Sequence, residues 1–214
     1  MSLQTSTISR FLQQTLMELM RAPQLQTFYL ADASALSLQY GHRYSNEIDL
    51  YTAQTFQETD LQRIKQYIHN TFGNGEQHTF EPKGNGVSFF LYNLNKDAIK
   101  VDLYYSTEQI STIITTENVR FAGKEDLLAL TLERIRLGGN KANFWDLHYL
   151  LAHHTPDEIF AAHKQRFPDK HQKAEIKRKL VDFSAIEDDP DPRCLLKKNW
   201  NLIKLDLIDM VANY

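Results

Sequence analysis

Glu47 and Asp49 stand two residues apart in the run Glu-Ile-Asp-Leu-Tyr at 47–51. Polar and apolar residues alternate there as on a β-strand, so both carboxylates point to one face. A third acid, Asp102, sits inside a second alternating run, Ile-Lys-Val-Asp-Leu-Tyr-Tyr at 99–105. If the two strands are neighbours, the three acids can converge. Hard carboxylate oxygens on a rigid sheet suit Mg²⁺, which takes one or two carboxylates together with substrate phosphates. Such a centre holds attacking and leaving oxygens in line for phosphoryl transfer. The bland alternative is three acids that face water, because Asp/Glu-x-Asp is a short and common step.

The elements that must position these acids follow from spacing. Ile8, Phe11, Leu12, Leu16, Leu19 and Met20 recur at helical intervals up to Pro23. A short strand is expected at 28–30, a short helix at 34–40 and a half-buried strand at 47–51. Leu61, Ile64, Ile68 and Phe72 share one helical face over 60–72. The run 87–92 follows the turn Gly84-Asn85-Gly86 and pairs with 99–105 as an antiparallel hairpin. Only helices follow. They are expected over 125–137, stopped by Gly138-Gly139, then over 143–152, from Thr155-Pro156-Asp157-Glu158, over 170–181, and over 195–211. The fold class is α/β (α+β): a small mixed sheet flanked by helices in residues 1–122, then an all-helical half, residues 123–214, packed on it.

Composition narrows the function classes. The 214 residues carry 24 Lys+Arg against 27 Asp+Glu, a net charge of −3, which excludes a protein held to nucleic acid by bulk positive charge. Hydrophobic residues at 42% and charged residues at 24% fit a folded domain. The single cysteine, Cys194, rules out an internal disulfide or a multi-cysteine zinc site. No apolar run approaches the roughly 18 residues of a membrane span, and residues 1–16 lack the apolar core of a signal peptide. The expectation is a cytoplasmic protein with no membrane partner.

Residues 28–52 read FYLADASALSLQYGHRYSNEIDLYT. This block, Lys100-Val101-Asp102, and Lys141-Ala142-Asn143-Phe144-Trp145-Asp146-Leu147 together resemble the nucleotidyltransferase-fold toxins of the AbiEii/AbiGii abortive-infection type. The resemblance covers most of the chain, and the Gly41-His42-Arg43-Tyr44-Ser45 to Asp49-Leu50 segment is its most specific part. It implies a nucleotidyltransferase-like fold and Mg²⁺-dependent transfer of a nucleotidyl group from an NTP to an RNA or protein acceptor. It also implies a toxin–antitoxin or phage-defence role with an antitoxin partner. Carried over residue by residue, Glu47, Asp49 and Asp102 are the catalytic and metal-holding acids. Ser34, Arg43, Ser45, Asn143 and Asp146 fall on nucleotide-binding positions, and Asp102 is placed to help activate the acceptor hydroxyl.

Five departures support a second reading, a catalytically inactive relative acting as a binding or interaction protein. The family's paired glycines are Asp32-Ala33 here, and an Asp is expected to clash with a triphosphate and repel it. Glu47 replaces an aspartate. The family's helix lysine falls on Thr131, which removes a phosphate-facing cation that Lys124, Arg134 or Arg136 would have to replace. Gly138 stands where an Arg is usual, and Asn143 where an Asp is usual.

Other features read as structural. His148, His153, His154, His163 and His171 fit ordinary surface histidines, since 148 and 153 lack the i, i+4 zinc spacing. Cys194 is expected part-buried on a helix. The basic stretch from His163 to Lys179 is read as a solvated face balanced by Glu187, Asp188, Asp189 and Asp191, rather than as an RNA-phosphate contact. Phe89, Phe90, Tyr104 and Tyr105 are expected in the core.

Overall fold

The computed structural model describes residues 2–55, 57–73 and 78–214. Helix α1 (Arg10–Arg21) starts where the Ser9 hydroxyl accepts the Leu12 N–H, and it buries Leu12, Leu16, Leu19 and Met20. Strand β1 (Tyr29–Ala31) runs straight into α2 (Asp32–Tyr40), and β2 (Glu47–Thr52) follows. Then come α3 (Glu58–Phe72), β3 (Glu81–Lys83), β4 (Gly86–Tyr92), β5 (Ala98–Tyr105), β6 (Ile114–Thr116) and β7 (Val119–Phe121). The rest is helical: α4 (Lys124–Arg136), α5 (Lys141–Leu151), α6 (Pro156–Arg166), α7 (Lys173–Leu180) and α8 (Trp200–Asn213).

Among the described residues the strands form one mixed sheet in the order β3-β4-β5-β2-β1-β7-β6. Strands β2 and β5 are parallel at its centre, and β1 is antiparallel to β2 and parallel to β7. Helix α1 packs on β2 and β7, and α2 on β1 and β2. Helix α4 is the hub of the C-terminal half, touching α2, α5, α6 and α7. The expected mixed sheet flanked by helices is therefore present, as is the β4–β5 hairpin.

Several local expectations are corrected. Strands β3, β6 and β7 were not anticipated. Strand β3 carries Pro82, which lacks a donor and is tolerated because β3 is an edge strand. The β6–β7 turn is Glu117-Asn118, both left-handed at φ 50° and 65°, a two-residue turn without the glycine that usually signals one. Strand β2 is buried on both faces from Ile48 on, since it lies mid-sheet. The last helix begins at Trp200, capped by Asn199, not at 195. Cys194 lies outside any helix, bridged to Arg43. Phe90 is 46% exposed, whereas Phe89 is core. His163 is fully buried, bonded to Glu133 at 3.0 Å and to His171 at 2.9 Å. The acidic loop does not balance the basic stretch: Glu187 meets Lys204, and Asp191 meets Lys141. Within that stretch Arg166 is buried against Asp126, and Lys170 reaches Glu108 at 3.3 Å.

Candidate active site

Strands β2 and β5 set Glu47 opposite Lys100, Asp49 opposite Asp102, and Tyr51 opposite Tyr104. The two-residue period puts these six side chains on one face, while Ile48, Leu50, Val101 and Leu103 fill the core behind. The flanking strands present Ala31 beside Asp49 and Ser88 beside Asp102. Small neighbours on both sides leave room for longer side chains to close over the two carboxylates, which are buried.

Asp102 is 2% exposed, and its two oxygens differ. Oδ2 accepts from the Lys83 ammonium, from Lys100 at 2.9 Å and from the Tyr104 hydroxyl at 3.0 Å. Burial alone would raise its pKa, but the donated hydrogen bonds, Lys83's first, hold it below the ordinary aspartate range. Oδ1 is buried and meets no donor at hydrogen-bond geometry among the described residues, although the adjacent Ser88 side chain also helps to lower the carboxyl's pKa. Lys83 reaches over from the edge strand; Gly86 lies between it and Tyr104 in the sheet, and a side chain there would meet the Leu103 carbonyl oxygen.

Asp49 shifts the other way. Burial and then the negative charges of Glu47, Asp32 and Asp102 push its pKa well above the usual range, with Arg134 only partly opposing them. The Arg134 guanidinium stands 3.5 Å from Asp49 Oδ1. Its stronger partner is Asp32, whose Oδ2 takes Nε at 2.9 Å, Nη2 at 2.6 Å and the Tyr51 hydroxyl at 2.8 Å. Asp32 holds φ at 54°, in the left-handed region at the β1–α2 junction. Asp tolerates that conformation better than most non-glycine residues. Asp32 is held in an ion pair with Arg134. Thr131 is buried and bonds Leu127 O, and Arg134, one turn on, is the cation that α4 brings to the carboxylates.

The remaining expected site residues lie apart from this face. Ser34 and Ser45 are buried and bonded to each other at 2.9 Å, and the Ser34 hydroxyl donates to the Glu47 carbonyl, so they fix the start of β2. Arg43 donates to both oxygens of Asp146 at 2.6 Å, and His42 Nε2 lies 2.6 Å from Oδ1. All three are buried, so they clamp the 41–46 turn onto α5. Asn143 closes the capping box of α5, its Oδ1 accepting the Asn140 N–H at 3.0 Å. Its neighbours Gly138 and Gly139 line an open groove of about 480 Å³ with Arg134 and Asp189.

Mg²⁺ fits part of this arrangement. The buried open oxygen of Asp102 and the like-charge repulsion on Asp49 are both features a divalent cation would satisfy. Among the described residues no group of three or more His, Cys, Asp or Glu side chains stands together as a metal cluster. Lys83 and Lys100 hold one oxygen of Asp102, while Arg134 stands 3.5 Å from Asp49.

Lys83, Lys100, Tyr51 and Tyr104 escaped the sequence reading of the site. Lys100 and Tyr104 were reachable, since each lies two residues from Asp102 and so shares its face. Lys83 needed strand β3, and its only signal was its position before the Gly84-Asn85 turn.

Comparison with known proteins decides the family. The family model described as "Nucleotidyl transferase AbiEii toxin, Type IV TA system" matches residues 14–213. The chain belongs to that family. The protein aq_aa25 of Aquifex aeolicus is 26% identical over 164 residues, covering 74% of this chain and 70% of its own. Two solved structures share the fold. MenT4, a nucleotidyltransferase toxin from Mycobacterium tuberculosis, aligns with a TM-score of 0.62 at 9% identity, covering 94% of this chain and 82% of its own. JHP933 from Helicobacter pylori aligns at 0.53 and 18% identity, covering 96% and 92%. Within the AbiEii family the reading as a non-catalytic relative is not favoured.

Proposed function

We propose that this AbiEii-family chain transfers a nucleotidyl group from an NTP to an RNA or protein acceptor, acting in the cytoplasm as the toxin of a pair with an antitoxin partner. The observation that carries the chemistry is the register pairing of Asp49 with Asp102, with one Asp102 oxygen buried and open. Asp49 and Asp102, with Glu47 beside them, are the residues that would hold Mg²⁺, which neutralises phosphate charge and sharpens the acceptor hydroxyl as a nucleophile. The acceptor oxygen forms a bond to the α-phosphorus, the bond to the β-phosphate oxygen breaks, and pyrophosphate leaves. Asp102 is placed to help activate the acceptor hydroxyl. Lys83 and Lys100 keep that carboxylate ionised and fixed. Arg134 also lines an open groove with Asn140 and Asn143, which we assign to the nucleotide.

The test is transfer of label from each α-labelled NTP to cellular RNA and to protein, with Mg²⁺. Wild-type labelling, lost by about 10²-fold or more in both Asp49→Ala and Asp102→Ala, is expected. Unchanged labelling in either variant would exclude this assignment.

A further inference from the structure

Asp32 lies on the Arg134 fork as a phosphate oxygen would: one oxygen takes Nε at 2.9 Å and Nη2 at 2.6 Å. The pair sits above the carboxylates, with the same guanidinium 3.5 Å from Asp49 and its carbon 5.1 Å from the centre of the Tyr104 ring. Three donors converge on Asp32 Oδ2, the third being the Tyr51 hydroxyl, whose ring packs 4.9 Å from that of Tyr104. The arrangement is anchored on two sides: the side chain of Asp32 is 7% exposed, and its backbone holds a left-handed φ. Arg134 is the movable member, 27% exposed and on the wall of the groove.

We propose that Arg134 is the phosphate-binding cation of this site and that Asp32 is an internal anion occupying it until a nucleotide triphosphate takes its place. The proposal rests on the nucleotide-binding reading above. A triphosphate that binds Arg134 must draw the guanidinium off Asp32. The apparent affinity is then reduced by the fraction of molecules in which the pair is open. A tight internal pair keeps the site closed at low NTP without removing the chemistry. Arginine suits the role because its fork can pass from carboxylate to phosphate with the same two-bond geometry.

The test compares equilibrium binding of ATP and of pyrophosphate, with Mg²⁺ in excess, to wild type, Asp32→Asn and Arg134→Lys. Asparagine keeps the size and tolerates the left-handed backbone, so the junction is preserved. Asp32→Asn should bind both ligands at least about tenfold tighter, and Arg134→Lys about tenfold weaker, the loss expected when a fork is replaced by a point charge. Wild-type binding that Asp32→Asn leaves unchanged or weakens would overturn the internal-anion role and leave the nucleotide reading standing. No binding to any of the three proteins, each folded by circular dichroism, would overturn both.

Discussion

Asp49 and Asp102 are direct cross-strand partners on the central parallel pair, yet their ionisations are driven in opposite directions. Two lysines stand on Asp102, while Asp49 meets mostly other acids. An asymmetric pair of this kind is a strained arrangement for the fold, and such strain concentrates at functional sites.

Asp49→Asn removes the charge that its neighbours oppose. Nucleotidyl transfer should fall by about 10²-fold or more, while the melting temperature stays level or rises by a few degrees, on the order of 1 kcal/mol. Label transfer and thermal unfolding measured on one preparation check both halves. A variant that loses several degrees would show Asp49 to be structural.

Asp146→Ala strands buried His42 and Arg43 without their shared carboxylate. Breaking a buried pair from one side costs about 3–5 kcal/mol, so the urea midpoint should drop sharply. A stable Asp146→Ala protein that fails only in nucleotide binding would return Asp146 to the nucleotide-contacting role that the sequence suggested.

Thr131→Lys places an ammonium at a site only 3% exposed, whose hydroxyl now bonds Leu127 O. Destabilisation of about 2 kcal/mol or more and no gain in transfer are expected. A gain in transfer would show that Arg134 does not supply the site's cation.

Burial would raise the pKa of Glu133, but hydrogen bonds from Arg136 and His163 prevail and hold it down to about 2 against an ordinary 4.5. A depressed carboxylate stabilises the fold above its unfolded pKa, and that contribution is lost as pH falls through the folded value. Wild type should therefore lose up to about 3 kcal/mol between about pH 4.5 and 2 from this group. Glu133→Gln should be less stable at neutral pH and flatter in that window, as read by urea unfolding at several pH values.

The central part of the site was partly legible because two-residue periodicity fixes faces: alternation put Asp49 and Asp102 each on one face of a strand, and the parallel pairing of those strands brings them together. Tertiary choices were not legible. Arg134 could meet Asp32 only once α4 packed on α2, a contact 102 residues apart. Arg43, Asp146, Ser34 and Ser45 have residue types suited to phosphates, but here their polar groups satisfy one another in the interior. The missed strands are three residues long, too short for periodicity to register.

The most direct test of the central claim is calorimetric titration of Mg²⁺ with each NTP into wild type and Asp49→Ala. The account predicts metal-dependent binding of at least one NTP to wild type, abolished in the variant. Binding that is absent from wild type, or equal in the two proteins, would contradict a nucleotidyl-transfer site at Asp49 and Asp102.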